Sequence, residues 1–294
     1  MRLNPYCMCC AVNKQEQKIR CFTDMEKKTE YMKKVMGVLA AAGPDDCAPS
    51  ISIKLKKLYS QYWNPQAALS EEGIFSQIKH EFNQLMLSIE HQLKENIRRA
   101  TDPLEAALLY ARIGNYIDFA ALSNVDKNEV LSMIEEENKE PLDQAEYRNF
   151  RRDLDTAASL VYLTDNCGEI VLDKLVIKIL KEQYPHLDIT VVVRGYPVSN
   201  DATMEDAAEA GMTSVARVIG NGSDVAGTWY PGISQETKDL LESADLIIAK
   251  GQGNFETLHQ CGLNIYYLFL CKCQWFQTLF NAKPLQGMFV NERR

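Results

Sequence analysis

The 294-residue sequence predicts an α/β protein with a helical N-terminal domain followed by a three-layer domain built on a mainly parallel sheet. Three observations support this fold class. Apolar residues recur at helical spacing through the first half of the chain. Short runs rich in Val, Ile and Leu alternate with helical segments in the second half, which is typical of a parallel sheet covered on both faces. Polar, glycine-containing loops follow several of these runs. We place the boundary between a helical domain at 1–152 and an α/β domain at 153–294.

Start and stop signals divide the helical half into separate helices. Gly43-Pro44 ends the first one, and Asp102-Pro103 begins a later one because proline is favoured at the first helical position. The helices are predicted at 12–39, 50–63, about 70–99, from 102 onwards, 129–137 and 142–155.

The second half contains five apolar runs of strand length and one shorter run. Their nearly continuous aliphatic composition indicates strands that are buried on both faces. The strands are predicted at 157–163, 188–193, 214–219, 244–249, 264–270 and 288–290, with helices at 168–184, 203–210 and 234–242.

The most informative segment follows the first predicted strand and precedes a helix. It places Asp165, Asn166 and Gly168 at the edge of a parallel sheet where ligands bind. The start of the helix offers free N–H groups and the positive end of its dipole, which suit an anion such as phosphate. Two hard oxygen donors beside an anion site indicate Mg²⁺ or a similar divalent ion. The segment therefore predicts metal-assisted chemistry on a phosphorylated substrate.

Three other strands end in loops of the same kind. Asp, Asn and Gly are common turn residues, so any one of these loops alone favours a purely structural role. Four such loops at one sheet edge favour a functional site, because functional residues gather on the loops of these scaffolds. The loops span residues 165–169, 194–201, 220–224 and 250–256.

Composition excludes several classes of protein. The formal net charge is −8 and no face is rich enough in Lys and Arg to bind nucleic acid. The N-terminus lacks the apolar core of a secretory signal, and the longest apolar stretches are too short to span a membrane. We expect the nine cysteines to be mostly reduced thiols in a cytoplasmic protein. The sequence leaves the oligomeric state open.

Five motifs in register resemble the DUF89 family of damage-control phosphatases. The resemblance covers nearly the whole chain, and the N-terminal motif fits the Cys-x-x-Cys of the mainly prokaryotic subfamily related to ARMT1-like proteins. It implies a helical N-terminal domain joined to a Rossmann-like domain. The motifs are Cys7-Met8-Cys9-Cys10, Gly114-Asn115-Tyr116-Ile117-Asp118, Asp165-Asn166-Cys167-Gly168-Glu169, Asn200-Asp201 and Lys250-Gly251-Gln252-Gly253-Asn254-Phe255-Glu256.

The resemblance implies a metal-dependent phosphatase acting on small phosphometabolites, notably sugar phosphates. Its metal ligands match Asp165, Asn166 and Asp201, and its phosphate lysine matches Lys250, which supplies a point charge. Oxygen ligands accept Mg²⁺, Mn²⁺, Co²⁺ or Ni²⁺ with modest discrimination. The nucleophile is either a metal-activated water or a carboxylate such as Asp201, and water is favoured because metal ligation makes a carboxylate a poor nucleophile.

Further candidates surround this set. We expect N–H groups near Gly168 and Gly253 to hold phosphate oxygens. Arg194 is either a second cation for the phosphate or part of an ion pair on its loop. Glu169 either caps its own helix, since carboxylates favour a helix start, or holds a metal-bound water.

Two pairs of candidates depend on the resemblance. Asn115 and Asp118 lie three residues apart and share one helix face, which alone favours a simple surface. The resemblance instead implies that this face contacts the hydroxyls of the substrate. Asn254 and Glu256 are ordinary loop residues by pattern and site residues by resemblance.

The cysteines and the fold leave two alternative functions open. Cys7 and Cys10 have the spacing of zinc or redox ligands, and a non-enzymatic metal or redox sensor would act through them. Buried free thiols are the simpler interpretation of these residues. A methyltransferase using S-adenosylmethionine is the other alternative, since such a role has been proposed within the wider family. No loop has the complete Gly-x-Gly-x-x-Gly of a dinucleotide site.

Overall fold

The computed structural model of the chain describes residues 1–63, 67–121, 131–132 and 140–292, without the side chains of 67–75 and 115–121. The helix predicted at 129–137 falls almost wholly outside these residues.

The N-terminal helices are α1 (Pro5–Ile19), α2 (Met25–Ala40) and α3 (Ala48–Tyr62). The prediction of a single helix at 12–39 was wrong, because α1 ends at Ile19 and a separate helix begins after Asp24. The Asp24 carboxylate accepts a hydrogen bond of 2.9 Å from the backbone N–H of Lys27, which caps α2. α1–α3 share a small core of their own that includes Tyr31, Val35 and Ile51.

Three further helices cover one face of the sheet: α4 (Ala67–Arg99), α5 (Pro103–Ala121) and α6 (Gln144–Thr156). Apolar residues of α4 and α5, among them Met86 and Leu108, belong to the same hydrophobic core as Tyr162 and Ile248 of the sheet. The predicted boundary between residues 152 and 153 falls inside α6, and the helices before it share a hydrophobic core with the strands after it.

The strands form a six-stranded sheet in the order β3-β2-β1-β4-β5-β6, in which only β6 is antiparallel. This confirms the predicted α/β class. Alternate residues of β1 point to opposite faces, so that Tyr162 enters one core and Val161 the other. The strands are β1 (Ser159–Leu163), β2 (Asp188–Val193), β3 (Arg217–Gly220), β4 (Leu246–Lys250), β5 (Ile265–Leu270) and β6 (Gly287–Asn291).

The helices of the second half are α7 (Glu169–Gln183), α8 (Met204–Glu209), α9 (Gln235–Ser243), α10 (Gly251–Leu258) and α11 (Gln274–Phe280). α10 and α11 were not predicted, since they are short and contain Gly or several aromatic residues. Within the described residues, no helix is long and apolar enough to cross a membrane.

The strand order reverses between β1 and β4, which pair directly in the middle of the sheet. The crevice at the carboxyl ends of two such strands is where open α/β sheets bind ligands. The loops after Leu163 and Lys250 therefore meet at the topological switch point.

Candidate metal and phosphate site

The loops after β1 and β2 are bonded to each other through their backbones. Asn166 and Asp201 form an isolated antiparallel bridge. The N–H of Cys167 donates to the carbonyl of Asn200 at 2.8 Å, and that of Ala202 donates to the carbonyl of Asp165 at 2.8 Å. These bonds bring Asp165, Asn166 and Asp201 together, as the common edge of the strands predicts.

The guanidinium of Arg194 lies between the two aspartates and is fully buried. Its Nε donates to Asp201 Oδ2 at 2.5 Å, and its Nη2 lies 3.5 Å from Asp165 Oδ1. Of the two roles considered for Arg194, the structure has the ion pair. These two ion pairs hold the carboxylates of Asp165 and Asp201 in place in the loops after β1 and β2.

The side chain of Asn166 is oriented by two carboxylates. Its Nδ2 donates to Asp165 Oδ2 at 3.1 Å and to Glu169 Oε2 at 3.2 Å. Because the amide nitrogen faces these acceptors, the Oδ1 atom is turned away from them and keeps its lone pairs for a cation. This orientation suits a metal ligand.

Lys250 ends β4 and is fully buried. Its Nζ donates to the carbonyl of Ala111 at 2.7 Å, to Asp173 Oδ1 at 2.9 Å and to Glu169 Oε1. Asp173 also accepts a hydrogen bond of 2.7 Å from Tyr162. An ammonium group has three hydrogens, so all of them are directed at protein oxygens. The contact between Lys250 and phosphate stays a prediction, and it would require one of these bonds to break.

The bonded network contains four carboxylates and two cations, a formal excess of two negative charges that one divalent ion would neutralise. Burial and the neighbouring carboxylates of Asp201 and Glu169 raise the pKa of Asp165 well above its ordinary value. Burial likewise raises the pKa of Asp173 to about 6. A cation bound beside Asp165 would replace the protons that this charge otherwise attracts. The donor set and the charge therefore fit a hard divalent metal.

Gly251 makes room for Asp165. It has a φ of +78°, and a Cβ atom there would lie 1.9 Å from Asp165 Oδ2. Glycine is required on both counts, since L side chains disfavour this conformation and the carboxylate occupies the space. The close approach places Asp165 against the first turn of α10, whose N–H groups have no partner within the helix.

We predict that Gly251→Ala lowers the free energy of unfolding by about 2 kcal/mol or more, from backbone strain plus the clash. Because the carboxylate of Asp165 must move, the affinity for Mn²⁺ should fall by about tenfold or more. Urea unfolding and calorimetric Mn²⁺ titration measure the two effects. Gly262→Ala is the matched control, because Gly262 has a φ of +81° and nothing within 4 Å of its Cβ position. Equal Mn²⁺ affinity in the two variants would contradict the prediction.

Helix α5 approaches the site through Gly114. A Cβ atom at Gly114 would lie 2.5 Å from Glu169 Cγ, so the glycine permits close packing of α5 on the start of α7. The side chains of Asn115 and Asp118 lie outside the described residues, and their contact with substrate stays a prediction.

The backbone N–H of Gly168, which was predicted to bind a phosphate oxygen, already has a hydrogen-bond partner within the protein. The N–H of Gly168 donates to Asn83 Oδ1 at 2.6 Å, while Nδ2 of Asn83 donates to Asp206 and Glu209. Gly168 has a φ of +65° and lies against Phe82. Helix α4 thus fixes the loop after β1, and phosphate binding at Gly168 would have to displace Asn83.

Gly253 and Asn254 hold neighbouring loops. The carbonyl oxygen of Gly253 would lie 2.3 Å from a Cβ atom at Gly227, so Gly227 is the glycine that lets the two backbones approach closely. Asn254 is fully buried and donates to the carbonyls of Thr164 and Lys250 at 3.0 and 2.7 Å, while its Oδ1 accepts from Thr228 at 2.7 Å. Both residues therefore contact neighbouring loops of the protein. Their contact with substrate stays a prediction.

Glu256 lies one turn along α10, near the N-terminal cysteines. Burial raises its pKa to about 7, and burial together with Glu256 raises the pKa of Cys7 to about 11. A thiol with a raised pKa is a weak nucleophile and a weak metal ligand at neutral pH. Cys10 is exposed, and among the described residues no group of three or more His, Cys, Asp or Glu is arranged to hold a metal. Metal or redox chemistry at Cys7 and Cys10 stays a prediction.

Four residues around the site were not predicted from the sequence: Asn83, Asp173, Gln252 and Lys272. Asn83 and Asp173 carry a weak signal, because each is polar beside the apolar stripe of its helix. Lys272 carries a stronger one, since it follows β5 at the same sheet edge as the four loops.

A cleft of about 490 Å³ opens over the loops after β2 and β3, at the same edge of the sheet. Its walls combine aromatic and small residues, which suit the organic part of a small molecule. It is lined by Tyr196, Pro197, Gly222, Ser223, Trp229 and Gly232, among others.

Comparison with known proteins gives one consistent result. A family model described as the damage-control phosphatase ARMT1-like domain matches residues 3–285. An uncharacterized protein of Methanocaldococcus jannaschii is 30% identical over 93% of this chain and 90% of its own length. A damage-control phosphatase of Archaeoglobus fulgidus is 27% identical over 93% of each chain. The crystal structure of a DUF89 family protein from Pyrococcus horikoshii covers 99% of each chain at a TM-score of 0.76 and 24% identity, which shows the shared fold.

Proposed function

Since this chain belongs to the damage-control phosphatase ARMT1-like domain family, we propose that it hydrolyses phosphate monoesters of small metabolites with the help of a divalent cation. Sugar phosphates and related damaged metabolites are the proposed substrates. The relative from Archaeoglobus fulgidus is named a damage-control phosphatase, which supports the reaction class.

One observation supports the metal dependence most strongly. The carboxylates of Asp165 and Asp201 and the amide of Asn166 meet at the switch point of the sheet, inside a buried network with two excess negative charges. We propose that these side chains hold Mg²⁺, Mn²⁺, Co²⁺ or Ni²⁺, because hard oxygen donors suit such ions.

The cation, when bound, would neutralise the charge that grows on the phosphoryl oxygens during transfer. Arg194 keeps Asp165 and Asp201 at a fixed separation, so that the ligands are oriented before the substrate arrives. Lys250 and Asn166 hold Glu169 between them, which fixes its carboxylate beside the ligand set. We favour water as the nucleophile, because Arg194 occupies one oxygen of Asp201.

A screen of metals against phosphate esters tests this function. We expect protein treated with EDTA to release no inorganic phosphate from a panel of sugar phosphates, and Mg²⁺, Mn²⁺, Co²⁺ or Ni²⁺ to restore the release. Phosphate release that persists at full rate in excess EDTA would contradict metal dependence. Methyl transfer from S-adenosylmethionine without phosphate release would instead favour the methyltransferase.

A further inference from the structure

The charge of the protein is distributed unevenly between its N-terminal helices and the rest of the chain. Residues 1–63, which contain α1, α2 and α3, have 11 Lys and Arg against 6 Asp and Glu, a net charge of +5. The remaining residues have 21 Lys and Arg against 34 Asp and Glu, a net charge of −13. An anionic partner is therefore attracted to the N-terminal helices and repelled by the rest of the molecule.

Three exposed lysines of α1 and α2 lie over three half-buried aromatic rings near the end of α3. The distances from ammonium to ring centre are between 4.8 and 5.8 Å. The pairs are Lys18 with Tyr59, Lys27 with Tyr62 and Trp63, and Lys34 with Tyr62. We call these three lysines and three rings the lysine–aromatic surface. Cation–π contacts at exposed sites are weak, so the lysines can leave the rings for a stronger anionic partner.

The carboxylates of α1 and α2 leave these three lysines without an ion pair among the described residues. Glu16 pairs with Arg20 at 2.6 Å, and Glu30 lies 3.8 Å from Lys33. Asp24 caps α2 through the backbone. Neighbouring ammonium groups without counter-charges repel one another, so an anion that binds between them lowers the electrostatic free energy.

The combination of lysines and rings suits single-stranded nucleic acid. Proteins bind single strands through a positive surface that contacts phosphates and through aromatic rings on which unpaired bases stack. A membrane surface suits this face less well, because it calls for exposed apolar side chains beside the lysines. The exposed apolar residues of α2 are Met25 and Met36, and by helical spacing they lie on the opposite side of the helix from Lys27 and Lys34.

We propose that the lysine–aromatic surface binds single-stranded nucleic acid without regard to sequence. The ammonium groups contact backbone phosphates, and bases stack on Tyr62 and Trp63 once the lysines have moved from the rings. Phe22, stacked on Trp63 at a ring-centre distance of 4.3 Å, holds that ring in place. The sequence predicted no nucleic-acid partner, because the lysines and rings are spread over three helices and only the fold brings them to one face. This binding goes beyond the proposed phosphatase function and does not depend on it.

Fluorescence anisotropy of a labelled oligo(U) of about 20 nucleotides tests the proposal on the whole protein. We expect a Kd of about 1–100 µM near physiological salt. The combined replacements Lys18→Gln, Lys27→Gln and Lys34→Gln should weaken binding at least about thirtyfold in about 50 mM salt. They should also lower the slope of log K against log salt by about 2, since each phosphate contact of a single strand contributes about 0.7.

Two further comparisons separate stacking from charge. Trp63→Leu should weaken binding of oligo(U) by about fivefold or more, because a stacked base is lost. Oligo(dT) of the same length should bind within about threefold of oligo(U), since neither the phosphate nor the face of the base depends on the sugar. Duplex DNA has the higher charge density, so a duplex that binds more tightly than the single strand would show binding by charge alone and overturn the proposal.

Lys238→Gln is the matched control. Lys238 also lies over a tyrosine ring, 5.5 Å from the centre of Tyr230, but in the acidic part of the chain, and its replacement should leave oligo(U) binding unchanged. If the triple variant unfolds, Lys27→Gln alone should weaken binding by about threefold or more. Equal losses in Lys238→Gln and Lys27→Gln would overturn the proposal. So would equally tight binding of polyglutamate or of vesicles of phosphatidylserine and phosphatidylcholine, or no binding of oligo(U) at about 200 µM wild-type protein in about 50 mM salt.

Discussion

Replacement of Asp165 by Asn is expected to lower metal-dependent phosphate release by at least about a hundredfold while the protein stays folded. Loss of groups that merely orient a metal ligand costs about 10- to 100-fold, so loss of a ligand itself should cost more. We expect the free energy of unfolding to stay the same or to increase, because Asp165 is a buried carboxylate between the carboxylates of Asp201 and Glu169. Its raised pKa reflects that unfavourable environment.

Three measurements check this prediction: phosphate release with saturating metal, Mn²⁺ affinity and urea unfolding. Asp188→Asn is the matched control, since Asp188 is exposed at the start of β2, at the opposite end of the sheet. We expect this control to behave as the wild type in all three. A variant Asp165→Asn that keeps its Mn²⁺ affinity and its activity would remove Asp165 from the ligand set, and with it the metal site proposed here.

The meeting of Asp165 and Asp201 was predictable from sequence because it depends on backbone topology alone. Parallel strands end at one edge, and the two loops follow β1 and β2, which are neighbours in the sheet. The partners of Arg194 and Lys250 depend on side-chain direction and on the helices above the sheet. The sequence shows that each follows or ends a strand, but it contains no signal that Ala111 of α5 will accept a bond from Lys250.

Packing partners were harder to predict than secondary structure. The apolar stripe of α4 predicts a helix with one buried face, yet the same stripe suits a helix bundle or the face of a sheet equally well. Met86 enters the core that also contains Tyr162, and Asn83 beside it bonds to Gly168. The break before Asp24 was predictable in principle, because an aspartate cap is a recognised helix start, but charged residues on both sides continue the helical pattern.

Lys250→Met is expected to lower the free energy of unfolding by about 3–5 kcal/mol at pH 8, the cost of leaving buried charges without their partner. Glu169 and Asp173 would lose their cation, and the carbonyl of Ala111 would lose its donor. Burial alone lowers the pKa of Lys250, but the carboxylates of Asp173 and Glu169 raise it above its ordinary value, so the wild-type lysine is charged.

The loss should be smaller at pH 5.5 than at pH 8. The pKa of Asp173 is about 6 in the folded protein, above its ordinary value, and it should rise further without Lys250. A carboxyl group whose pKa is raised on folding binds protons more readily in the folded state, so acid stabilises the variant as the pH falls through that pKa. Urea unfolding at the two pH values measures the difference.

Lys178→Met provides the control for the general loss of an ion pair on the same face of the sheet. Lys178 lies on α7, pairs with Glu90 at 3.1 Å and is 32% exposed, so its removal should cost no more than about 1 kcal/mol. The same comparison separates the two roles of Lys250. If Lys250 serves the phosphate and not the fold, Lys250→Met will match Lys178→Met in stability and will bind inorganic phosphate more weakly. If Lys250 holds Glu169 and Asp173, the large loss of stability will appear without any ligand present.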